Sequence, residues 1–255
     1  MPPSLTVRLP APFREQGDHI AIGLRGAEVL FTTRRGGVSE GPYASLNLGL
    51  QTGDHPSRVA VNRAAMAAIA GVGFDRLAHG RQVHGARVRR VRDPATASLP
   101  DPPESDGQAT ALADIAAVVA VADCLPVAVA GDRAVAMLHC GWRGLAAGII
   151  AEGVRALRDL DDHGPLAAAI GPGAGPCCYE VSEDVHAAFA AHGRAVRHGA
   201  HLDLPQVARA QLAAAGVHEV HASGLCTLCS PSDLFFSHRR DAGQTGRQAG
   251  VAWLN

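Results

Sequence analysis

The chain has 255 residues, of which 47% are hydrophobic and 18% charged, with a formal net charge of -1. This balance fits a globular protein with a sizeable core. It excludes a disordered chain, a basic nucleic-acid binder and an acidic solvating tail. All 23 residues counted as Lys or Arg are arginine, which removes Schiff-base lysine chemistry and a P-loop lysine from consideration.

The N-terminal stretch "MPPSLTVRLPAPFREQGDH" has no basic region followed by an apolar one, so no signal peptide is expected. "IAAVVAVADCLPVAVAG" is broken by Asp123, Cys124 and Pro126 before it could span a bilayer. A cytoplasmic protein without membrane or nucleic-acid partners is therefore expected. Its six cysteines, Cys124, Cys140, Cys177, Cys178, Cys226 and Cys229, read as reduced thiols or metal ligands before disulfides.

In chain order, "EVLFTTR" (Glu28 to Arg34) alternates as a strand, and the long loop "RGGVSEGPYASLNLG" follows. Pro56 opens a helix with Val59, Arg63, Met66 and Ile69 at helical spacing, and Gly71 stops it. "RQVHGARVRRV" predicts a strand with His84 at a Gly bend, and "RDPATASLPDPPESDG" an exposed loop with the least order. "IAAVVAVAD" and "AVAMLHC" are continuous apolar runs of strand length, buried on both faces. "GWRGLAAGIIAEGVRALRDL" predicts one helix, and "LAAAIGPGAGPCCYEV" a strand and loop. Ser182 and Asp203 are candidate caps of the next two helices. "VHEVHASG" predicts a strand, "DLFFSHRRDAGQTGRQAG" a loop, and "VAWLN" a short closing strand. The pattern is mixed α and β without a regular βαβ alternation, internal repeat or clear linker.

Polar residues interrupt the apolar runs, and an unpartnered buried charge is costly. His84, Cys124 and His139 each end a predicted strand. Imidazole and thiolate suit zinc, and three protein ligands leave a position for water or substrate. Their separation along the chain leaves the alternative open: an inert cysteine and two hydrogen-bonded core histidines. Asp123 could orient a ligating histidine, carry a proton, or merely cap its own turn.

Arg143 at a strand-to-helix junction is either an anion donor or a surface arginine packed on Trp142. Arg34, Ser45 and Asn47 on the long loop could serve a phosphate or a base, or only hold the turn. Arg239, Arg240 and Arg247 could clamp an anion or be solvated. Cys226-Thr-Leu-Cys229 lacks a second CxxC, and adjacent Cys177 and Cys178 would point apart in a strand. Structural or incidental cysteines are the expectation there.

Ten motifs then occur in order: "SLNLG", "NR" at Asn62-Arg63, "QVHG", "ADCLPV", "HCGWRG", "IGPGAGPCCYEV", "LDL", "CT", "FFSHRRD" and "TGRQA". From about Phe31 to Leu254 the chain resembles the YfiH family. Its members were described first as multicopper polyphenol oxidoreductases or laccases and later as purine nucleoside phosphorylases. The resemblance implies a single α+β domain over residues 1–255, with a mixed β-sheet core flanked by helices. It implies zinc bound by His84, Cys124 and His139, with copper as the alternative. It further implies phosphorolysis of adenosine, inosine, guanosine and methylthioadenosine, with adenosine deamination as a second activity; the partners are then a nucleoside and phosphate.

On that reading Asp123, Cys124 and Arg143 are the catalytic candidates, and Arg34, Ser45, Asn47 and Arg240 the substrate-binding ones. A copper-dependent phenol oxidase is disfavoured because the thirteen histidines form no His-x-His pair. A Cys124–His139 hydrolase or amidase is the other rival. Four positions depart from the family pattern: Cys140 for Ala, Ser182 for Gly, His238 for Tyr, and Cys229 beyond the CT motif. Cys140 could compete for metal, oxidise, or point into the core.

Overall fold

The computed structural model describes residue 5 and residues 7–255. The strands are β1 (Arg14–Gln16), β2 (His19–Leu24), β3 (Ala27–Phe31), β4 (Leu77–Ala78), β5 (Val88–Val91), β6 (Gly107–Thr110), β7 (Ala116–Val121), β8 (Leu125–Ala130), β9 (Val135–Cys140), β10 (Ala167–Ile170), β11 (Arg197–His198), β12 (His201–Leu202), β13 (Glu219–Ala222) and β14 (Gln248–Leu254). The helices are α1 (Pro56–Ile69), α2 (Trp142–Ala146), α3 (Ile149–Arg158), α4 (Glu183–Ala188) and α5 (Leu204–Ala214).

The mixed β core consists of two six-stranded sheets, ordered β1-β2-β3-β14-β7-β4 and β13-β10-β8-β9-β6-β5. Most neighbours are antiparallel; β4 with β7, β5 with β6, and β10 with β13 are parallel. The sheets pack face to face through Ile22, Val29, Phe31, Val119, Val121, Met137 and Ala169. A Cβ added at Gly250 of β14 would stand 2.7 Å from both Met137 and Pro126, so glycine permits the approach of the two sheets there.

Helices α3 and α5 cover the second sheet's outer face, where Val127, Val129 and Leu138 meet Ile149, Leu157, Val207 and Leu212. On the first sheet's outer face, Met66 and Ala67 of α1 meet Leu30, Val118 and Val251. This stacking explains why β7 and β9 read as continuous apolar runs: every residue of β9, and every residue of β7 except Ala120, is buried. Val135 and Met137 turn toward the other sheet, while Ala136, Leu138 and Cys140 turn toward the helices.

Several sequence expectations are corrected. The strand predicted from Arg81 shrinks to β5, because residues 82–87 form a loop that carries His84. The helix predicted after Trp142 is two helices, broken at Gly148, whose φ of 87° no helix interior accepts. Ser182 precedes α4 without a side-chain capping bond, whereas Asp203 accepts one from the Gln206 N–H. The closing strand is seven residues long and lies mid-sheet between β3 and β7. Pro126 sits second in β8, near the strand start where proline is tolerated, and the break lies in the Asp123-Cys124 turn.

Candidate metal centre

His139 is on β9, and β9 pairs antiparallel with β6, so the residue before β6, Asp106, lies across from it. The His139 N–H donates to the Asp106 carbonyl at 2.7 Å. Side chain meets side chain as well: His139 Nδ1 and Asp106 Oδ1 are 2.8 Å apart. The same carboxylate accepts the backbone N–H groups of Val83, His84 and Gly85 at 3.1, 2.9 and 2.8 Å. Four donors satisfy a fully buried carboxylate. Burial alone would raise Asp106, but the bonds from His139 and from these N–H groups outweigh it and hold the group below the usual carboxylate range.

Gln82 ties this loop to the first sheet. Its side-chain amide donates to the Ala120 carbonyl and accepts the Ala120 N–H, each at 2.8 Å. His84 then adopts a φ of 61° and Asp123 one of 88°, left-handed conformations that non-glycine residues seldom take. These turns bring three distant residues together: one ligand atom each from His84, Cys124 and His139 lies within 4.8 Å of the others. The two imidazoles stand edge to face, with centroids 4.9 Å apart.

Asp106 occupies Nδ1 of His139 and leaves Nε2 as its ligand atom, the usual arrangement behind a metal-bound histidine. Burial alone would raise the Cys124 thiol, but His139 and His84 outweigh it and bring it below the ordinary thiol range. His139 is buried, Cys124 half-buried and His84 exposed, so the cluster is open on one side. A Cβ at Gly141 would stand 2.8 Å from Cys124 Sγ and 3.4 Å from His84 Cδ2, so the space between these ligands needs glycine there. Two imidazoles and a thiolate are a donor set that zinc or copper accepts.

Gly141 also begins α2, which carries Trp142 and Arg143 to the mouth of a cleft of about 500 Å³. Tyr179, Glu180, Val181, Ser182, Val185 and Arg239 line the rest of it. The Arg143 guanidinium lies 4.2 Å over the Trp142 ring, and that of Arg239 4.8 Å over Tyr179. Asp123 links this cleft to the cluster, since its carboxylate accepts the Thr227 hydroxyl at 2.7 Å and the Arg239 N–H at 2.8 Å. Orientation of the ligating histidine, considered for Asp123 from the sequence, belongs to Asp106. No periodicity marks Asp106; its only sequence signal is an acidic residue before the Gly that opens a strand.

A family model described as multi-copper polyphenol oxidoreductase laccase matches residues 28–255. The crystal structure of the hypothetical protein YfiH of Bacillus licheniformis superposes with a TM-score of 0.88 at 32% identity, covering 96% of this chain and 100% of that one. The chain belongs to the YfiH family. A purine nucleoside phosphorylase of Deinococcus radiodurans is 41% identical over 235 residues, with 88% of each chain covered. The purine nucleoside phosphorylase YlmD of Geobacillus stearothermophilus is 38% identical over 246 residues, covering 87% of this chain and 88% of the relative. The crystal structure of YlmD from that organism gives a TM-score of 0.83.

In this YfiH-family chain the long-loop residues serve the framework. Arg34 donates to the carbonyls of Ala44 (2.6 Å) and Ser232 (2.9 Å) and lies over Phe236. Ser45 donates to the Arg34 carbonyl. Asn47 donates to Thr52 and Asp54 and accepts the N–H groups of Gly49 and Arg247. Arg240 is spent on Asp241 and on the carbonyls of Thr227 and Phe235. These four are the substrate-binding candidates from the sequence, and these bonds run to neighbouring loops. Arg247, grouped with Arg239 and Arg240 in the sequence, is lowered by burial and lies near enough to Cys124 and Asp123 to feel their charges.

Cys140 is fully buried on the helix side of β9, away from His139, and burial pushes its thiol well above the usual range. Of the three options open from sequence, it takes the core position. Cys177 and Cys178 sit in a turn rather than a strand, so their thiols converge with those of Cys226 and Cys229 instead of pointing apart. Among the described residues no helix is long and apolar enough to cross a membrane.

Proposed function

We propose that the chain is a zinc-dependent purine nucleoside phosphorylase acting on adenosine, inosine, guanosine and methylthioadenosine, with adenosine deamination as a second activity. It works as one cytoplasmic YfiH-like domain over residues 1–255. The observation that carries this reading is the His84–Cys124–His139 cluster, buttressed by Asp106 and open beside an arginine-flanked cleft. The names of its relatives support the purine nucleoside phosphorylase part of this reading.

His84, Cys124 and His139 would hold the metal. Zinc bound by three ligands supplies a Lewis acid and a water with a pKa near 7 in favourable sites. The protein's own contribution is positional. Asp106 fixes the His139 tautomer and the His84 loop. Asp123 positions the Cys124 turn and the Arg239 backbone, its two oxygens being taken by Thr227 and Arg239. Arg143 and Arg239 bind phosphate and hold it against the ribose, where its negative charge stabilises the oxocarbenium character. A phosphate oxygen bonds C1' as the C1'–N9 bond breaks, and the purine leaves with the proton that phosphate gives up. Trp142 and Tyr179, already stacked under these arginines, give the cleft flat apolar walls suited to a purine. Arg34, Ser45, Asn47 and Arg240 act one layer back by shaping the loops that carry Arg247 and Arg239.

One observation favours a second reading. Cys124, His139 and Asp106 lie in the order nucleophile, base and orienting carboxylate of a thiol hydrolase. That arrangement gives the converging His84 ring no task, which is why the metal reading is preferred. Copper-dependent phenol oxidation keeps only the family description in its favour.

The deciding experiment measures the metal content of protein purified without added metal, alongside release of free base from adenosine with and without phosphate. Phosphate-dependent release together with about one equivalent of zinc lost in Cys124→Ser supports the proposal. Phosphate-independent turnover of a metal-free enzyme that iodoacetamide stops would assign the site to thiol hydrolysis instead.

A further inference from the structure

Away from the His84–Cys124–His139 cluster, four cysteines from two turns converge. Pro176 to Cys178 form one turn and Thr227 to Cys229 the other, brought together by the bridge between Gly173 and Cys226. The sulfurs of Cys177, Cys178, Cys226 and Cys229 all lie within 4.8 Å of one another, and those of Cys177 and Cys229 are 3.3 Å apart. A tetrahedral zinc with Zn–S bonds of 2.3 Å holds its sulfurs about 3.8 Å apart, inside that range. We propose that these four cysteines form a separate tetrathiolate site for a soft divalent cation of the zinc class.

Three features favour a metal over chance proximity. The Cys226 sulfur, the buried one, receives the Gly175 N–H at 3.4 Å and faces the N–H groups of Leu228 and Cys229 as well. Such donors stabilise a thiolate ligand and orient it. The C-T-L-C spacing lets one turn present two sulfurs to one point, and the Cys177-Cys178 turn supplies the other two. Cys177 and Cys229 are exposed, which gives an ion a route in. Four protein ligands close the coordination shell, so the site is structural. Binding replaces the four thiol protons with the ion and needs no oxidant or reductant.

What it would hold in place is specific. Thr227, inside the C-T-L-C turn, donates its hydroxyl to Asp123 beside Cys124, and its carbonyl accepts from Arg240. Tyr179 of the cleft directly follows Cys178. A bound ion therefore clamps the cleft wall to the Cys124 turn.

The test is metal stoichiometry and cobalt spectroscopy on the full chain, prepared under reducing conditions. Wild-type protein is expected to hold two equivalents of zinc. Cys124→Ser removes the three-ligand site alone and is expected to retain one equivalent. After cobalt substitution, that variant should show the intense visible bands of a tetrahedral thiolate complex. Cys177→Ser/Cys229→Ser, changed only at exposed positions, is expected to drop to one equivalent and lose those bands. The proposal fails if Cys124→Ser protein binds no metal, if the double variant keeps the wild-type metal content, or if mass analysis finds a Cys177–Cys229 disulfide in place of the ion. Because the Cys124→Ser arm removes the other site, its outcome does not depend on the function proposed above.

Discussion

Asp106 bonds the ring of His139 and the backbone of His84 with one carboxylate, so two residues 55 positions apart are set by a single side chain. Asp106→Asn keeps the size of the side chain but can no longer act as a charged acceptor for all four donors. Loss of such an outer partner typically costs a factor of about 10–100 in metal affinity or activity. Chelator competition on the purified variant should show a drop in that range; unchanged affinity would mean that the imidazole is held by packing alone.

Gly141 has φ and ψ of -76° and 167°, which alanine adopts without strain. Gly141→Ala should therefore fold with wild-type circular dichroism. Its methyl group would press on Cys124 Sγ at 2.8 Å. Metal content and activity should fall together while the melting temperature changes little, a pattern that calorimetry and elemental analysis on the same sample would resolve.

The arginines of the cleft and of the framework should respond differently. A charge-assisted hydrogen bond contributes about 1.5–3 kcal/mol, so Arg143→Ala or Arg239→Ala should raise the KM for phosphate about tenfold or more, with the KM for nucleoside much less affected. Arg240→Ala removes bonds to Asp241, Thr227 and Phe235 and should lower thermal stability as well as activity. Steady-state kinetics with phosphate varied, paired with melting curves, separates the two behaviours.

His79 is buried behind α1, and burial, followed by the nearby Arg63 and Arg89, lowers its pKa from 6.5 to about 4. An unfolded chain takes up this proton near pH 6.5, whereas the fold resists it until about pH 4. Stability from this residue is thus complete above pH 6.5 and lost as the pH falls toward 4, by about 3 kcal/mol in all. His79→Leu should remove that part of the acid sensitivity. Urea unfolding at several pH values should show the wild type losing ground to the variant across this window.

Much of the fold was legible from local pattern. The apolar runs of β7 and β9 announced strands covered on both faces, and Pro56 and Gly71 bracketed α1. Motif order marked His84, Cys124 and His139. What local pattern could not carry was anything set by pairing at a distance. "VAWLN" reads as a short end strand because nothing local says that β3 and β7 will flank it. Asp106 is one acidic residue among many until the β6–β9 register sets it against His139. That Arg34 and Arg240 bond carbonyls of distant loops is equally invisible, because a free guanidinium and one held by carbonyls have the same sequence signature. Cys177 and Cys178 were judged by strand geometry, and the turn they occupy reverses the conclusion.

The mid-sheet position of β14 has a consequence for how the chain is made. β3 and β7 have no partner between them until residues 248–254 have been synthesised, so the first sheet stays split while residues 122–247 are being made. A chain interrupted before residue 248 would carry two raw strand edges where a continuous sheet should be. Residues 248–254 thus act as the key of the sandwich, and Asn255 anchors it through its bond to Gly26.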